Sequence, residues 1–369
     1  MTAAAQARPP PASPLFDPAP RRIAVFRALH LGDLLCSVPA LRALRSAAPQ
    51  AHVALVGLPW ARDFVARFGA YLDELVEFPG YPGFPEREAG DEALQTFLQR
   101  SRRRRYDLVI QLHGTGYEVN PIALAMGARH CAGFHPQGSA APTPWFVPWP
   151  EDQPEIRRYL RLTDHIGAAT QGEHLEFPLN DDDRAQAATL LRAHSLAAMP
   201  YVCLHAGARL PSRRWPPERF AWVADYLVRT GLPVLLTGGA GETALAAAVL
   251  EHVPPRQRPF VHNLAGKTTL GSLAALVAHA RLVVSNDTGL SHVAAAVRTP
   301  SVVISSGGDA RRWAPLDHRH HRVLWHDLPC RPCAHETCPI GHPCALAIEP
   351  LTVAEAIEAV MHHTEPRYE

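Results

Sequence analysis

Short runs of apolar residues alternate with amphipathic segments along most of the chain. Three runs in the first half are predicted to be buried strands, RRIAVFRAL, HVALVGL and YDLVIQLH, and an amphipathic helix is predicted over LLCSVPALRALRSA. The pattern restarts near Pro200, where five further strands are predicted: MPYVCLHAG, LPVLLTGG, PFVHNLAG, ARLVVSND and PSVVISSG. Short apolar strands separated by helical segments indicate parallel sheets covered by helices on both faces.

The repetition of this pattern predicts two α/β domains, each a doubly wound, Rossmann-like sheet. The expected organisation is a disordered, proline-rich lead-in over residues 1–20, an N-terminal domain over residues 21–175 and a C-terminal domain over residues 176–369. Residues 136–154 are rich in proline and lack a period, which predicts a long loop. Ligands of such sheets bind beyond the carboxyl ends of the strands, so the expected site is a cleft between the domains.

The composition is that of a soluble globular protein, with 47% hydrophobic and 19% charged residues among 369. The sequence has no apolar run of the roughly 18 residues that a spanning helix needs and no secretion signal at its start, so a cytoplasmic protein is expected. The net charge of +1 gives no general attraction to nucleic acid. The arginine run 102–105 is expected to be a solvated helix end, the alternative being contact with anionic lipid or substrate.

Seven cysteines, an odd number in a chain expected to be cytoplasmic, argue against a disulfide framework. A zinc ribbon uses two C-x-x-C pairs, but this chain has one, formed by the first two members of a C-terminal cluster. His335 and His342 would have to complete a metal site. A reduced loop is the preferred interpretation, and a structural zinc site or cysteine pairing are the alternatives. The cluster consists of Cys330, Cys333, Cys338 and Cys344.

Three glycine-rich stretches bear on nucleotide binding. NLAGKTTL ends like a phosphate loop, but Val261 stands where that motif needs its first glycine. GTGYEV has Val119 where a dinucleotide fingerprint needs glycine or alanine. GAGETA, from Gly239, fits that fingerprint, but the next strand ends without the acidic residue that holds the ribose. A dehydrogenase is therefore only a minor alternative.

Two strand-to-helix junctions in the second half are suited to anions. SNDTGLSHVAAAV predicts a strand, a tight turn at Asp287 and a helix whose free N–H groups favour a phosphate, unless Asp287 only caps the helix. HAGARLPSRRWPPERF places Arg209, Arg213 and Arg214 at the rim of the same sheet, although a solvent-exposed basic loop is an equal alternative in isolation. Together the two junctions indicate a nucleotide or its diphosphate ester as ligand.

A third junction, HLGDLL, places the carboxylate of Asp33 beside Gly32, between the first strand and its helix. An aspartate at this place is either a helix cap or a catalytic base, and the two roles are compatible.

Six stretches of the sequence resemble, in this order, the heptosyltransferases of glycosyltransferase family 9. The resemblance implies a GT-B fold, with two facing Rossmann-like domains. It also implies inverting transfer of L-glycero-D-manno-heptose from ADP-heptose to the inner core of lipopolysaccharide, with lipid A–Kdo or a heptosylated inner core as acceptor and peripheral contact with the inner membrane. It implies no cofactor. The stretches are HLGDLLCSVPALRALR, YDLVIQLHG, GARHCAGF, HAGARLPSRRWPPERF, NLAGKTTLGSLAALVAHARLVVSNDTGLSHVAAA and CRPCAHETCPIGHPC.

The resemblance assigns roles to individual residues. Asp33 would be the general base for the acceptor hydroxyl, and Arg213 would stabilise the leaving ADP, although many family members carry lysine there. Asp287 would contact the donor heptose, and Glu242 would accept hydrogen bonds from the ribose. His292 either orients the diphosphate loop or packs as an ordinary helix histidine. The other implied substrate-binding residues are Gly32, Arg209 and the N–H groups of Thr288, Gly289 and Leu290 for the diphosphate, and Lys267 and Thr268 for the adenine.

Three rival functions remain open at this point. The same fold with another nucleotide-sugar or acceptor is the rival among enzymes. A noncatalytic nucleotide-sugar or lipopolysaccharide-precursor binder would bind donor without turnover. A zinc-dependent nucleic-acid module is disfavoured, because the net charge is close to zero and aromatic and basic residues are not interleaved.

Overall fold

The computed structural model describes residues 15–362, which form two compact units that meet in sequence between Glu173 and His174. Of the predicted lead-in, residues 1–14 lie outside the described range. The N–H of Leu15 donates a hydrogen bond to the carbonyl of Ile166 at 3.1 Å, so the described part of the lead-in contacts the first unit. No helix within residues 15–362 is both long enough and apolar enough to cross a membrane.

The N-terminal unit is built on a six-stranded parallel sheet. Its strands are β1 (Arg22–Phe26), β2 (His52–Gly57), β3 (Glu74–Glu77), β4 (Leu108–Gln111), β5 (His130–His135) and β6 (Phe146–Pro148). Its helices are α1 (Leu31–Ala47), α2 (Arg62–Arg67), α3 (Asp91–Arg103), α4 (Asn120–Ala125) and α5 (Glu155–His165).

The C-terminal unit contains a second six-stranded parallel sheet. Its strands are β7 (Val202–His205), β8 (Val234–Leu236), β9 (Val261–Asn263), β10 (Leu282–Asn286), β11 (Ser301–Ile304) and β12 (His321–Leu324). Its helices are α6 (Asp181–Ala193), α7 (Pro217–Arg229), α8 (Thr243–His252), α9 (Leu270–His279), α10 (Gly289–Ala296), α11 (Ala310–Trp313), α12 (Pro343–Leu346) and α13 (Pro350–His362).

The two sheets have the same strand order. The first runs β3-β2-β1-β4-β5-β6 and the second β12-β11-β10-β7-β8-β9, so each is a doubly wound sheet in which the winding reverses between its first and fourth strands. The reversal opens a crevice at the carboxyl ends of these two strands, which is where open α/β sheets bind ligands. The switch points are therefore β1/β4 in the first unit and β7/β10 in the second.

Burial explains why the central strands form. The apolar residues of β1 and β10 are fully shielded from solvent, as expected for strands covered by helices on both faces. In the N-terminal unit α1 packs against α5, and in the C-terminal unit α7 packs against α8 and α13. Helix α6 begins with a capping box between Asn180 and Asp183, which satisfies two main-chain N–H groups.

All eight predicted strands are present, but four others escaped the sequence pattern. Strands β3 and β12 lie at sheet edges and carry charged residues, which breaks the apolar run. Strand β6 lies inside residues 136–154, so the prediction of a loop there is wrong over three residues. The arginine run 102–105 ends α3, but Arg104 pairs with Glu74 at 2.7 Å and is not simply solvated.

Candidate active site

Asp33 lies in the first turn of α1, just beyond the carboxyl end of β1. The helix begins at Leu31 and its N-cap is His30, which has extended backbone angles and makes no side-chain cap hydrogen bond. Asp33 is therefore not the N-cap residue, and the cap alternative is wrong in that form. Its carboxylate lies in the favourable field of the helix N-terminus, and its side chain is 21% exposed.

The carboxylate of Asp33 is paired with Arg27, the first residue after β1. Nη2 of Arg27 lies 3.1 Å from Oδ1 of Asp33, and Nε donates to the main-chain carbonyl of the same aspartate at 2.8 Å. Nη1 donates to the carbonyl of Leu112, the residue that follows β4. Because Arg27 joins the segments after β1 and β4, it lies at the switch point of the N-terminal unit.

A second carboxylate balances Arg27 from within the unit. Glu155, at the start of α5, lies 3.5 Å from Nη2 of Arg27 and pairs with Arg158 at 2.9 Å. Tyr159 donates its hydroxyl to Glu155, and its ring lies 4.6 Å from the guanidinium of Arg27. Burial acts to lower the pKa of Arg27, but Tyr159, Asp33 and Glu155 outweigh it and raise that pKa. The guanidinium thus remains charged.

His113 follows β4 at the same switch point. Its ring packs edge-on against Phe26 and tilted against Phe84, with centroids 5.7 Å and 5.5 Å away. Burial, and then the charge of Arg27, lower the pKa of His113 to about 3. Nδ1 is buried and has no hydrogen-bond partner among the described residues. The sequence analysis did not predict this neutral imidazole near the charge of Arg27. Its one signal in the sequence was a position just after an apolar strand.

In the C-terminal unit Asp287 follows β10 and precedes α10. The N-cap of α10 is Thr288, with φ −153° and ψ 174°, so the interpretation of Asp287 as a cap is wrong. The first N–H groups of a helix lack partners within it, which leaves those of Gly289 and Leu290 available to an anion. His292 is buried one turn further on, with its ring 6.2 Å from that of Trp313.

Cationic groups from several segments surround Asp287. Its Oδ2 accepts a hydrogen bond from the hydroxyl of Ser305 at 3.2 Å. Burial raises the pKa of Asp287, whereas His292, Arg213, the Ser305 hydrogen bond and Arg331 act to lower it. Two predicted residues, Arg213 and His292, are thus brought to the predicted aspartate, and two others, Ser305 and Arg331, were missed.

Asn286 ties the two loops of the second switch point together. At the end of β10, its Nδ2 donates to the carbonyl of Ala206 at 2.7 Å, and its Oδ1 accepts from the N–H of Trp215 at 3.0 Å. Arg213 lies in the loop between these partners. Its Nη2 donates to the carbonyl of Cys333 at 3.4 Å, and its buried Nε has no hydrogen-bond partner within residues 15–362.

Glu242 lies beyond β8 and reaches toward β7. Its Oε2 accepts the N–H of Gly239 at 2.7 Å and lies 3.8 Å from Nε2 of His205. Its Oε1 lies so close to the α-carbon of Gly207 that a side chain at this position would require Glu242 to move. Burial lowers the pKa of His205, although Glu242 opposes this effect. The carboxylate therefore has one oxygen engaged and lies at the second switch point.

The remaining predicted donor residues are on the surface of the C-terminal unit. Lys267 is exposed, and its Nζ donates to the carbonyl of Asn263 at 2.9 Å, within its own loop after β9. Thr268 is half-buried beside it, and Arg209 is exposed in the loop after β7.

The cysteine-rich segment, residues 330–344, is attached to the loop after β7 and to the loop after β11. The N–H of Cys333 donates to Gly307 at 3.0 Å, and the N–H of Ser212 donates to Glu336 at 3.0 Å. Nε2 of His342 lies 2.7 Å from the carbonyl of Ser212. The seven cysteines are free thiols, and no group of three or more His, Cys, Asp or Glu side chains within residues 15–362 is arranged to hold a metal ion.

Arg331 fixes this segment to the loop after β11. Its Nη2 donates to the carbonyl of Gly308 at 2.7 Å and to the hydroxyl of Ser305 at 3.2 Å, and its Nη1 donates to the carbonyl of His326 at 2.8 Å. The same guanidinium lies 5.4 Å from the ring of Trp325. The sequence analysis considered the cysteines of C-R-P-C as metal ligands and predicted no role for Arg331 between them.

Known proteins resemble the chain over most of its length. The model of glycosyltransferase family 9 (heptosyltransferase) matches residues 95–343. Lipooligosaccharide heptosyltransferase 2 of Haemophilus influenzae is 27% identical over 304 residues, 78% of this chain and 84% of that protein. Lipopolysaccharide heptosyltransferase 2 of Escherichia coli K12 is 25% identical over 314 residues, 81% of this chain and 86% of that protein.

Solved structures share the fold. The glycosyl transferase family 9 protein of Veillonella parvula aligns with a TM-score of 0.75 at 23% identity, over 93% of this chain and 98% of that one. ADP-heptose lps heptosyltransferase II of E. coli aligns with a TM-score of 0.72 at 23% identity, over 92% and 98%. These similarities confirm the expected GT-B architecture of two Rossmann-like sheets. Because the family model covers well over half of the sequence, the chain belongs to glycosyltransferase family 9, the heptosyltransferase family, and is an enzyme.

Proposed function

We propose that this enzyme transfers heptose from ADP-heptose to the inner core of lipopolysaccharide with inversion at the anomeric carbon. The names of its relatives, heptosyltransferases of lipooligosaccharide and lipopolysaccharide, support the donor and acceptor classes. The observation that carries the mechanism is the carboxylate of Asp33. It is partly exposed at the switch point of its unit, one oxygen is held by Arg27, and the other has no hydrogen bond to the described residues.

In the proposed reaction an acceptor hydroxyl attacks the anomeric carbon of the heptose. The new C–O bond forms as the bond to the diphosphate breaks, and the electron pair leaves with ADP. Oδ2 of Asp33 takes the hydroxyl proton, so the attacking oxygen becomes nucleophilic as it bonds. Because attack and departure occur on opposite faces, the anomeric configuration inverts.

The leaving ADP gains one negative charge on its terminal phosphate as the bond to the sugar breaks, and this charge must be stabilised. Arg213 supplies a guanidinium whose Nε is buried without a partner in the described chain, and helix α10 supplies the N–H groups of residues 288–290. Asp287 is placed to accept hydrogen bonds from the heptose hydroxyls. A metal ion is not needed for this scheme, since fixed cations and N–H dipoles carry the stabilisation.

Recognition of the nucleoside is assigned to Glu242 and to the loop after β9. Oε2 of Glu242 orders its own turn, and Oε1 makes no hydrogen bond to the described residues, so Oε1 can accept from a ribose hydroxyl. Lys267 and Thr268 would border the adenine. Lipid A–Kdo or a heptosylated inner core is the proposed acceptor, which places the enzyme at the inner face of the cytoplasmic membrane by peripheral contact.

Release of ADP from ADP-heptose tests the reaction and the base together. Wild-type protein should release ADP only with an inner-core acceptor, and Asp33→Asn should fold, bind ADP and lose at least about a hundredfold in kcat. Asp91→Asn is the matched control, because Asp91 is an exposed carboxylate in the first turn of α3. Donor binding without turnover on every inner-core acceptor would favour the noncatalytic binder or another acceptor, whereas an active Asp33→Asn would exclude Asp33 as the base.

A further inference from the structure

We propose that Arg27 is a positioning residue for the transfer reaction, acting through Asp33. This inference rests on the proposed function, in which Asp33 is the base. The supporting geometry is a pair of hydrogen bonds from one fully buried guanidinium to one aspartate. Arg27 donates both to the carboxylate and to the main-chain carbonyl of Asp33.

The double contact restricts Asp33 in a way that one hydrogen bond would not. Nε holds the main-chain carbonyl of Asp33 at 2.8 Å, and Nη2 holds Oδ1 at 3.1 Å. Because guanidinium atoms are coplanar, these contacts fix the side-chain rotamer relative to the backbone and turn the remaining oxygen, Oδ2, away from Arg27. A lysine has one nitrogen and could not make both contacts in this orientation.

Arg27 is itself held in place by residues other than Asp33. Glu155 is 3.5 Å from Nη2, and Arg158 holds Glu155 at 2.9 Å while its own Nε donates to the carbonyl of Pro150 at 2.7 Å. The carbonyl of Leu112 accepts from Nη1. A buried charge with several partners has little freedom to move, so the core of the unit defines the position of Asp33.

The charges of this network balance. Two carboxylates, Asp33 and Glu155, face two guanidinium groups, Arg27 and Arg158. A network that served stability alone would need no member in contact with solvent, yet Asp33 is 21% exposed while the side chains of Arg27 and Glu155 are 0% exposed. The exposed end of a rigid buried network is suited to present a base, because misplacement of a reacting group by about 1 Å can cost about a hundredfold in rate.

Arg27→Lys tests the inference, since it keeps the positive charge but removes the paired contacts that Nε and Nη2 make with Asp33. We expect kcat to fall about ten- to a hundredfold while the KM for ADP-heptose and the affinity for ADP stay unchanged, because the proposed donor contacts all lie in the other unit. If Arg27→Lys does not fold, the double variant Arg27→Gln with Glu155→Gln takes its place, because it removes one buried positive and one buried negative charge together. Circular dichroism and ADP titration establish that each variant is folded.

A double-mutant cycle separates positioning from a merely structural role. If Arg27 acts through Asp33, adding Arg27→Lys to Asp33→Asn should cause no further loss of kcat, whereas a general structural effect would reduce both backgrounds equally. Wild-type kcat in Arg27→Lys would overturn the inference while leaving the proposed function intact. An active Asp33→Asn, or a wild-type enzyme without turnover, would overturn the proposed function and this inference with it.

Discussion

The main-chain N–H of Cys333 donates a hydrogen bond to the carbonyl of Gly307 at 3.0 Å, and its sulfur lies where a side chain on Gly307 would project. This contact attaches the cysteine-rich segment to the loop that follows β11. Ser305 in that same loop donates to Asp287. The cysteine-rich segment, a candidate metal site in the sequence, therefore forms a wall of the proposed donor site. Its main-chain hydrogen bonds attach it there.

Arg331→Met should loosen this wall. The substitution removes hydrogen bonds to Ser305, Gly308 and His326, and we expect the Kd for ADP to rise about tenfold, equivalent to about 1.4 kcal/mol. Isothermal titration calorimetry with ADP measures the change. Arg311→Met is the control, because Arg311 also stacks on Trp325, at 5.5 Å, from an exposed position. Equal losses in the two variants would mean that stacking on the tryptophan, and not the loop contact, supports the site.

Asp287→Asn should increase stability at neutral pH while it lowers activity. Burial raises the pKa of Asp287 in the folded chain, so the unfolded chain loses its proton at lower pH than the folded chain does. The favourable contribution of the protonated form is complete below the unfolded pKa and is lost as pH rises through the folded pKa. Asparagine does not titrate, so the stability of the variant relative to the wild type should increase as pH rises.

Thermal unfolding at intervals between about pH 4 and about pH 7 measures this difference. The unfolding midpoints of wild type and Asp287→Asn should diverge with pH and then run parallel. Asp327→Asn, an exposed carboxylate paired with Arg311 at 3.7 Å, is the control. A constant difference between the two midpoints across the pH range would show that burial does not disfavour the ionised form of Asp287.

Much of the architecture could be predicted because it depends on local pattern. Buried strands such as β1 and β10 are continuous apolar runs, and junctions such as that before α10 carry their turn residues in sequence. The edge strands β3 and β12 could not be predicted, because an edge strand tolerates charged residues and loses the apolar period.

In the candidate site, too, some residues could be predicted from local sequence pattern and others could not. Asp33 stands next to Gly32, and Asp287 directly follows β10 two residues before Gly289, so the neighbours of each aspartate in sequence reveal it. Arg27 and Glu155 are separated by 128 positions and meet through the packing of α5 on α1, which no local pattern encodes. Their buried charges are informative only once the partners are known, since a lone arginine after a strand is usually solvated.

His113→Gln should reduce the sensitivity of the N-terminal unit to acid. Burial, and then the charge of Arg27, hold the pKa of His113 at about 3, well below the usual value for a histidine. The unfolded chain takes up a proton below its own pKa, so the stability that neutral His113 contributes is present above that value and is lost as pH falls toward the folded pKa. Titration of this one site changes the free energy of unfolding by up to about 1.4 kcal/mol per pH unit.

Urea unfolding between about pH 7 and about pH 4 should show a shallower fall in the free energy of unfolding for His113→Gln than for wild type. His165→Gln, at the end of α5, is the comparison variant and should retain the wild-type slope. Identical slopes in all three proteins would contradict the assignment of a buried neutral imidazole at the first switch point.

Glu242→Gln tests the nucleoside contact. Glutamine retains an amide oxygen that can accept the N–H of Gly239, which Glu242 accepts at 2.7 Å, so the turn should persist. The lost charge should weaken the proposed hydrogen bonds from the ribose and raise the Kd for ADP about tenfold. Glu251→Gln, at an exposed residue of α8, controls for the removal of one negative charge from the helix that follows Glu242.

The ligand can be changed instead of the protein. ADP without its 2′- and 3′-hydroxyls should bind wild type and Glu242→Gln with the same affinity, because the groups that Glu242 is proposed to recognise are gone. If the variant still binds this analogue about tenfold more weakly than wild type does, the carboxylate acts on the loop around Gly207 and Gly239 and not on the ribose. Calorimetry with the two ligands and two proteins completes the cycle, and a coupling energy near zero would remove Glu242 from the donor site.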